Sequence, residues 1–481
     1  MTTRKYDLVV IGSGPAGEKG AAQAAYFSKK VAVVERDYYL GGAAASTTIP
    51  SKTLRETALA LSGLRARRLY GVDLSLKRRA TVEDFLYHEE AVKEAERTRV
   101  RYNLTRHNVD VFKGVGSFVD RRTIKVEEHG KAPEFLEGEV ILVATGSSPR
   151  RPDTFPHDNH IYDSDTVLRI KEMPMNIVVV GGGVIGCEYA CIFAPLGVDV
   201  SLVHNEEILL PFLDHDISLA LENSMLNMGI NLLKPERVES CTAEQNGLLL
   251  KLTSGQLVKT GAVMLATGRE SNTSALNLQA AGIVPGKHGL LMVNENYQVV
   301  HPETQEPVPG IFAAGDVIGA PALASTSMEQ ARFAMVKAFN IEPYKAHVAP
   351  ILPFGVYTIP ECAGVGKTEL VCQNQKIDYV VGKANYSQNA RGMIIGDHDG
   401  FLKLIYECSA DAKQPMKLLG VHIIGEIASE LSHIGVTALT TGATQDLFIN
   451  SCFNYPTLGE LYKYATYDAM GNRDKRLRAN A

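Results

Sequence analysis

Leu8-Val9-Val10-Ile11-Gly12-Ser13-Gly14-Pro15-Ala16-Gly17 decides the fold of this chain. Four successive apolar residues read as a strand buried on both faces. Gly12, Gly14 and Gly17 then open a helix through Ala21, Ala22, Ala24 and Ala25, and Val31-Ala32-Val33-Val34 is the return strand, ending in Glu35. The glycines allow a tight turn and close backbone approach to a pyrophosphate. The helix N-terminus favours the phosphate charge, and the acid accepts hydrogen bonds from a ribose. A glycine motif alone is weak evidence. Strand, helix, return strand and acid in register predict a dinucleotide site.

The pattern comes twice. Residues 176–180 read as a strand, Gly181, Gly183 and Gly186 open a second helix through Glu188 and Tyr189, and residues 198–203 form the return strand. Two copies predict two dinucleotides, one held tightly and one exchanging. The second return strand ends in His204-Asn205-Glu206-Glu207, with no arginine following to grip a 2′-phosphate, so the reading leans toward NAD(H). Strand-to-glycine crossovers at residues 140–146, carrying Thr145 and Gly146, and at 263–269, carrying Gly268 and Arg269, tie the units together. A short buried strand at residues 310–316 ends in Gly315-Asp316.

Bulk properties exclude other classes. A chain of 481 residues has a length prior of about three domains. It is 45% hydrophobic and 21% charged, with a formal net charge of -5, so no electrostatic footprint for nucleic acid is expected. Basic clusters at Arg65, Arg67 and Arg68, at Lys77, Arg78 and Arg79, and at Arg473, Lys475, Arg476 and Arg478 read as solvated faces. The N-terminus runs into a strand without a signal-peptide pattern. The most apolar stretch, residues 177–203, is broken by Gly181, Gly182, Gly183 and Gly186 and does not read as a membrane span. A cytoplasmic location and no membrane partner are the expectations. Seven scattered cysteines fit a reduced compartment. Cys187 and Cys191 lie one helical turn apart but lack histidines at ligand spacing, so they read as packing thiols and no metal site is expected. Residues 80–108 read as a long charged helix with a structural role. From about residue 346 the texture changes to an α+β domain, with a strand at residues 402–406 and helices at 428–440 and 458–470.

Gly41-Gly42-Ala43-Ala44-Ala45-Ser46-Thr47-Thr48-Ile49-Pro50-Ser51-Lys52 resembles the G-G-x-C-x-x-x-x-C-I-P-S-K segment of the flavoprotein disulfide reductases, with both cysteines gone. The likeness covers essentially the whole chain. It continues through Ile161-Tyr162-Asp163-Ser164-Asp165, Gly183-Val184-Ile185-Gly186-Cys187-Glu188-Tyr189, Gly315-Asp316-Val317-Ile318-Gly319, Tyr357-Thr358-Ile359-Pro360-Glu361 and Phe453-Asn454-Tyr455-Pro456-Thr457, followed by Glu460. It implies an α/β fold of two Rossmann-like dinucleotide-binding domains plus a C-terminal α+β dimerisation domain. An FAD-binding domain would comprise residues 1–155 and 276–345, an NAD(P)-binding domain 156–275, and the dimerisation domain 346–481.

The resemblance implies FAD on Gly12, Gly14, Pro15, Ala16, Gly17, Glu35, Arg36, Gly42, Lys52, Thr145, Gly146, Gly315, Asp316 and Ala324, with Glu35 on the adenosine ribose and Asp316 on the ribityl chain. It implies NAD(H) or NADP(H) as exchanging substrate on Gly181, Gly183, Ile185, Gly186, Glu188, His204, Gly268 and Arg269. Lys52 and Glu188 would pair beside the flavin, and a homodimer, or a higher oligomer built on it, would complete each site with Tyr455 and Glu460 from the partner.

The departures carry the functional reading. Thr48 stands where the flavin-proximal cysteine would lie, an alanine near position 44 where the other would be, and Tyr455 where the family places the histidine that serves the thiols as base. Loss of the thiols and of their base is mutually consistent. No cysteine precedes Cys187 to replace them. The expected activity is that of the transhydrogenase branch, hydride moving between NADPH or NADH and NAD+ or NADP+ through FAD. Lys52, Glu188, Thr48, Tyr455 and Glu460 are the candidate catalytic residues. The alternatives are an NAD(P)H diaphorase or quinone reductase, and a catalytically silent flavin-binding regulatory protein.

Overall fold

The structure, a computed structural model, describes residues 3–62, 81–245, 247–341, 347–408 and 414–479. The described chain falls into two compact units. One comprises residues 1–53, 87–150 and 268–350, the other 54–86, 151–267 and 351–481. The expected domain boundary at 345/346 and the basic residues Arg65, Arg67, Arg68, Lys77, Arg78 and Arg79 lie outside the described residues.

In the first unit, Thr3–Ile11 lies between Glu134–Val143 and Val31–Glu35, all parallel, with Pro307–Ala313 and Asp110–Lys113 extending the sheet on either side. Alternate residues of these apolar runs are buried against opposite layers. Val9, Ile11, Val34, Ile141 and Ile311 pack into one cluster. Leu8, Val10, Val33 and Leu142 pack into another with Ala21 and Ala24 of the helix Pro15–Tyr26 and Ala331 and Ala334 of the helix Ala324–Ala338. Burial on both faces is why the strands read as unbroken apolar runs rather than alternating ones. The charged helix expected over residues 80–108 spans Val82–Arg106. Its Arg99 and Asn103 bond the buried carboxylate of Glu18, with Asn103 Nδ2 2.7 Å from Oε1.

In the second unit the repeat of the motif gives a five-stranded parallel sheet in the order Asn231–Leu233, Asp199–Val203, Asn176–Val180, Ala262–Leu265, Ile161–Tyr162. A five-stranded antiparallel sheet, Phe354–Val356, Glu361–Gly366, Leu418–Gly425, Phe401–Glu407, Tyr379–Asn385, forms the C-terminal part with the helices Ala428–Thr440 and Leu461–Ala479. The last helix begins after a short 3-10 turn, Leu458–Glu460, and runs beyond the residue-470 end expected for it. Arg473 does not belong to a solvated face. It is buried, and its Nη1 donates to the Gln414 carbonyl at 3.2 Å. No helix among the described residues is long and apolar enough to cross a membrane.

Both glycine motifs close at van der Waals limits. A Cβ on Gly17 would stand 1.9 Å from the Gly12 carbonyl oxygen, and one on Gly186 would stand 1.8 Å from that of Gly181. The first glycines turn at φ +100 and +111, which favours glycine, and press against the carbonyls of Ala144 and Ala266. By contrast, Gly14 and Gly183 have open space where a Cβ would be.

Inside the second unit, the fully buried Lys403 holds three acids. Its Nζ lies 2.6 Å from Asp214 Oδ1, 2.6 Å from Asp216 Oδ2, and also bonds Glu369 Oε1. Asp214 is itself the N-cap of the helix His215–Asn227. Desolvation pushes the Asp216 carboxyl up, but hydrogen bonds from Lys383 and Lys403 outweigh it and hold the pKa at about 2. Among the described residues these acids are the one grouping spaced to hold a metal, and an ammonium already sits among them.

Two outcomes follow from this packing. Gly186→Ala must push backbone apart and should cost about 2 kcal/mol in urea unfolding, while Gly183→Ala should unfold with the parent. Asp216, with a folded pKa depressed to about 2, contributes stability above its unfolded value of roughly 4 that is lost as pH falls through 2. Acid unfolding of Asp216→Asn followed by circular dichroism should lack that loss.

Candidate functional site

The turn after Thr3–Ile11 builds a pocket of donors and acceptors around one carboxylate. Glu35 Oε2 accepts from the Ser13 amide at 2.9 Å and from Ser13 Oγ at 2.6 Å, and Oε1 accepts from the Asp37 amide at 3.0 Å. Ser13 Oγ in turn accepts from the Gly41 amide at 2.9 Å. This one serine therefore ties the glycine turn to the acid and to the start of the segment that lacks cysteines. The sequence reading missed it, although Ser13 lies inside the motif. Arg36, expected on the cofactor, is exposed beside Asp37 at 3.3 Å.

The N-terminus of Ala324–Ala338 comes close to the same turn. A Cβ on Gly315 would meet Ala16 Cβ and Ser327 Oγ at 3.2 Å, and the Gly315 amide donates to Gln330 Oε1 at 2.9 Å. Two buried hydroxyls of this unit, Thr145 Oγ1 and Thr326 Oγ1, have no hydrogen-bond partner among the described residues. Open space at Gly14, a buried acid at the strand end and orphaned hydroxyls fit a dinucleotide with polar groups still to be bonded. Asp316 is half-buried, and Ser147 Oγ donates to its Oδ2 at 2.9 Å. Arg269 donates from Nε to Ser147 Oγ at 2.8 Å and from Nη2 to the Ser147 carbonyl at 2.7 Å. Asn272, also unforeseen, donates to the Thr145 carbonyl at 3.0 Å. No local pattern marks such partners, which lie more than a hundred residues away.

The second motif repeats the first with an imidazole in place of the acid and Gly182 in place of Ser13. The Gly182 amide donates to His204 Nδ1 at 3.2 Å across a separation of 22 residues, the same separation as Ser13 to Glu35. His204 therefore stands where the first motif places its acid. With Nδ1 accepting, the neutral ring carries its proton on Nε2, which is buried without a hydrogen-bond partner. Burial pushes the ring's pKa down, so it is neutral at pH 7. Gly183 is open to solvent, Ile185 half-buried, and Gly268 turns at φ +103. Glu188 is buried on the motif helix Val184–Phe193, and its Oε1 accepts from the Tyr357 amide at 2.9 Å.

The segment that lacks cysteines winds as a π-helical turn, Ala44–Thr48, running into the helix Ile49–Leu61 that carries half-buried Lys52. Gly41 and Gly42 enter it at φ +104 and +55, and Ala45 packs against Gly41 where a Cβ would stand only 2.6 Å away. Hydroxyls fold back onto the turn. Ser46 Oγ donates to the Gly42 carbonyl and Thr47 Oγ1 to that of Ala43. Thr48 is exposed. Tyr455 is 71% exposed in this single chain, and Glu460 closes the 3-10 turn that follows it.

Every cysteine of the chain is a free thiol, and all but Cys452 are buried. Burial pushes Cys191 and Cys362 up to about 12, and Cys187 donates to the Gly182 carbonyl at 3.4 Å. These are packing thiols, protonated at neutral pH.

The sequence model of the pyridine nucleotide-disulphide oxidoreductases matches residues 6–331, and that of their dimerisation domain matches residues 352–466. The chain is 40% identical over 470 residues to the soluble pyridine nucleotide transhydrogenase of Mycobacterium bovis (strain BCG / Pasteur 1173P2), covering 97% of both. It is 38% identical over 476 residues to that of Pseudomonas putida, covering 98% of this chain and 99% of the relative. Among solved structures, LpdA from Mycobacterium tuberculosis superposes with a TM-score of 0.84 at 28% identity, over 97% of this chain and 99% of LpdA. The flavoprotein disulfide reductase RclA from Escherichia coli shares the fold at a TM-score of 0.83, with 23% identity over 97% and 99% of the two chains. With matches of this extent, the chain belongs to the pyridine nucleotide-disulphide oxidoreductases, a family of oxidoreductases whose C-terminal domain implies a homodimer.

Proposed function

We propose that this protein is a soluble NAD(P)+ transhydrogenase, moving hydride between nicotinamide nucleotides through FAD without a redox disulfide. The observation that carries the reading is the segment Gly41 to Lys52, which holds the family's loop with alanines and threonines in place of thiols. Its relatives at 36–40% identity that bear the transhydrogenase name support it. FAD is assigned to residues 1–155 and 276–345, the nicotinamide nucleotide to 156–275, and the dimer contact to 346–481.

Bound FAD supplies a ring that accepts and returns a hydride. The chain's own residues bind and orient. Glu35, fixed by Ser13, keeps acceptor capacity for the adenosine ribose, and the open face at Gly14 admits the pyrophosphate. Lys52 would supply positive charge for the ring as it gains electrons. Thr48 would contact the ring without reacting. Tyr455 of the partner subunit, followed in the chain by Glu460, would stand where the family places its thiol base.

At the second motif a neutral imidazole replaces a carboxylate. A carboxylate accepts from a ribose 2′-hydroxyl and repels a 2′-phosphate, whereas the Nε2–H of His204 can donate to either oxygen. That suits an enzyme that must take both nucleotides. Glu206 and Glu207, just beyond it, favour a second reading, an NADH-specific diaphorase passing electrons to a quinone or dye.

Anaerobic reduction by one nicotinamide followed by reoxidation with the other separates the two readings. The flavin band should bleach with NADH and return with NADP+ or a nicotinamide analogue, with parallel initial-rate lines. Return only with a quinone would establish the diaphorase. Lys52→Met should slow flavin reduction in rapid mixing by on the order of 10²-fold.

A further inference from the structure

We propose that Ser147 and Arg269 are positioning residues for Asp316, aiming its carboxylate at a polyol hydroxyl of the bound flavin nucleotide. The inference rests on the assignment of FAD to the first glycine motif. The hydrogen bonds have only one possible polarity. A guanidinium has no acceptor, so Arg269 Nε donates and Ser147 Oγ accepts, at 2.8 Å. The serine's single proton then goes to the carboxylate, and Ser147 Oγ donates to Asp316 Oδ2 at 2.9 Å. Arg269 Nη2 grips the Ser147 carbonyl as well, at 2.7 Å, so the arginine holds both ends of the residue that holds the acid.

The backbone around the acid is fixed separately. The Gly315 amide bonds Gln330 Oε1 at 2.9 Å, and Ser271 Oγ bonds the Val317 carbonyl at 3.1 Å. With the main chain pinned on both sides, the hydroxyl of Ser147 sets the rotation of the Asp316 side chain. It uses Oδ2 and leaves Oδ1 available to accept. The strands that carry these residues, Ser147–Pro149 and Arg269–Ser271, pair antiparallel, with Ser147 opposite Ser271 and Pro149 opposite Arg269. Together they form a two-stranded clip close to where the chain leaves the first unit after Arg150 and re-enters it at Gly268. Arg269 thus acts through Ser147 and Asp316, a different task from touching the nicotinamide nucleotide.

FAD dissociation constants, read from the fluorescence of released FAD, test this in the full-length protein. Ser147→Ala should raise the constant about 10-fold, the loss of one hydrogen bond to a charged group, while Ser147→Thr, which keeps the hydroxyl, should stay within about 3-fold. Asp316→Ala should weaken FAD as well, and adding Ser147→Ala to it should weaken it no further, because the two residues act as one unit. That non-additivity distinguishes aiming from a general loss of folding, which would add. Independent, additive losses, or a Ser147→Ala protein that holds FAD as tightly as the parent, would overturn the proposal. A parent protein that takes up no FAD would overturn both it and the functional reading beneath it.

Discussion

The structure depends on two places where backbone lies against backbone with no room for a side chain. At Gly12 to Gly17, and again at Gly181 to Gly186, a helix starts so close to the strand before it that a single methyl would overlap a carbonyl oxygen. That proximity sets the helix N-terminus over the strand end, where amides are free to meet phosphate. The parallel sheets, the position of the acid or imidazole at the second strand's end, and the open glycine between them all follow from it. The same geometry holds two different groups, Glu35 in one copy and His204 in the other, each receiving the amide of the residue after the first glycine. A tight site and an exchanging site can therefore share one architecture and differ in the side chain at the strand end and in the residue after the first glycine.

A second theme is that polar groups in this chain are committed in series. Ser13 serves Glu35 and Gly41, Ser147 serves Asp316 and answers to Arg269, and Lys403 gathers Asp214, Asp216 and Glu369. Buried Lys403 is paired with its acids, which limits its desolvation cost, and these links join segments far apart in sequence. The turn that elsewhere in the family would carry a disulfide is instead stitched by its own hydroxyls to its own carbonyls.

How much of this was legible beforehand divides along a physical line. Periodicity reports burial on neighbouring residues, so the strand at residues 176–180 and the helix at 428–440 were found at their observed ends. The glycine spacings found both turns because the constraint there is local and steric. The helix expected over residues 458–470 begins at Leu461, after a 3-10 turn, and ends later than expected. Its tail to Ala479 carries almost no apolar stripe, and Arg473 is buried there by a bond to the Gln414 carbonyl. Ser13, Ser147 and Asn272 were not found at all. A serine or asparagine in a turn has the same local signature whether its hydroxyl or amide faces water or a carboxylate brought in from 169 residues away. Only the folded chain tells the two apart.

The burial of sulfur has a consequence for the cell. A peroxide or an alkylating electrophile attacks thiolate, and it climbs the oxidation ladder only where a sulfur is both ionised and reachable. Here six of the seven sulfurs are buried, and the remaining one, Cys452, lies outside the loop where relatives with a dithiol do their chemistry. Under the proposed reaction, nicotinamide balance would continue to be adjusted while the glutathione pool is exhausted and sulfur-dependent reductases have been poisoned.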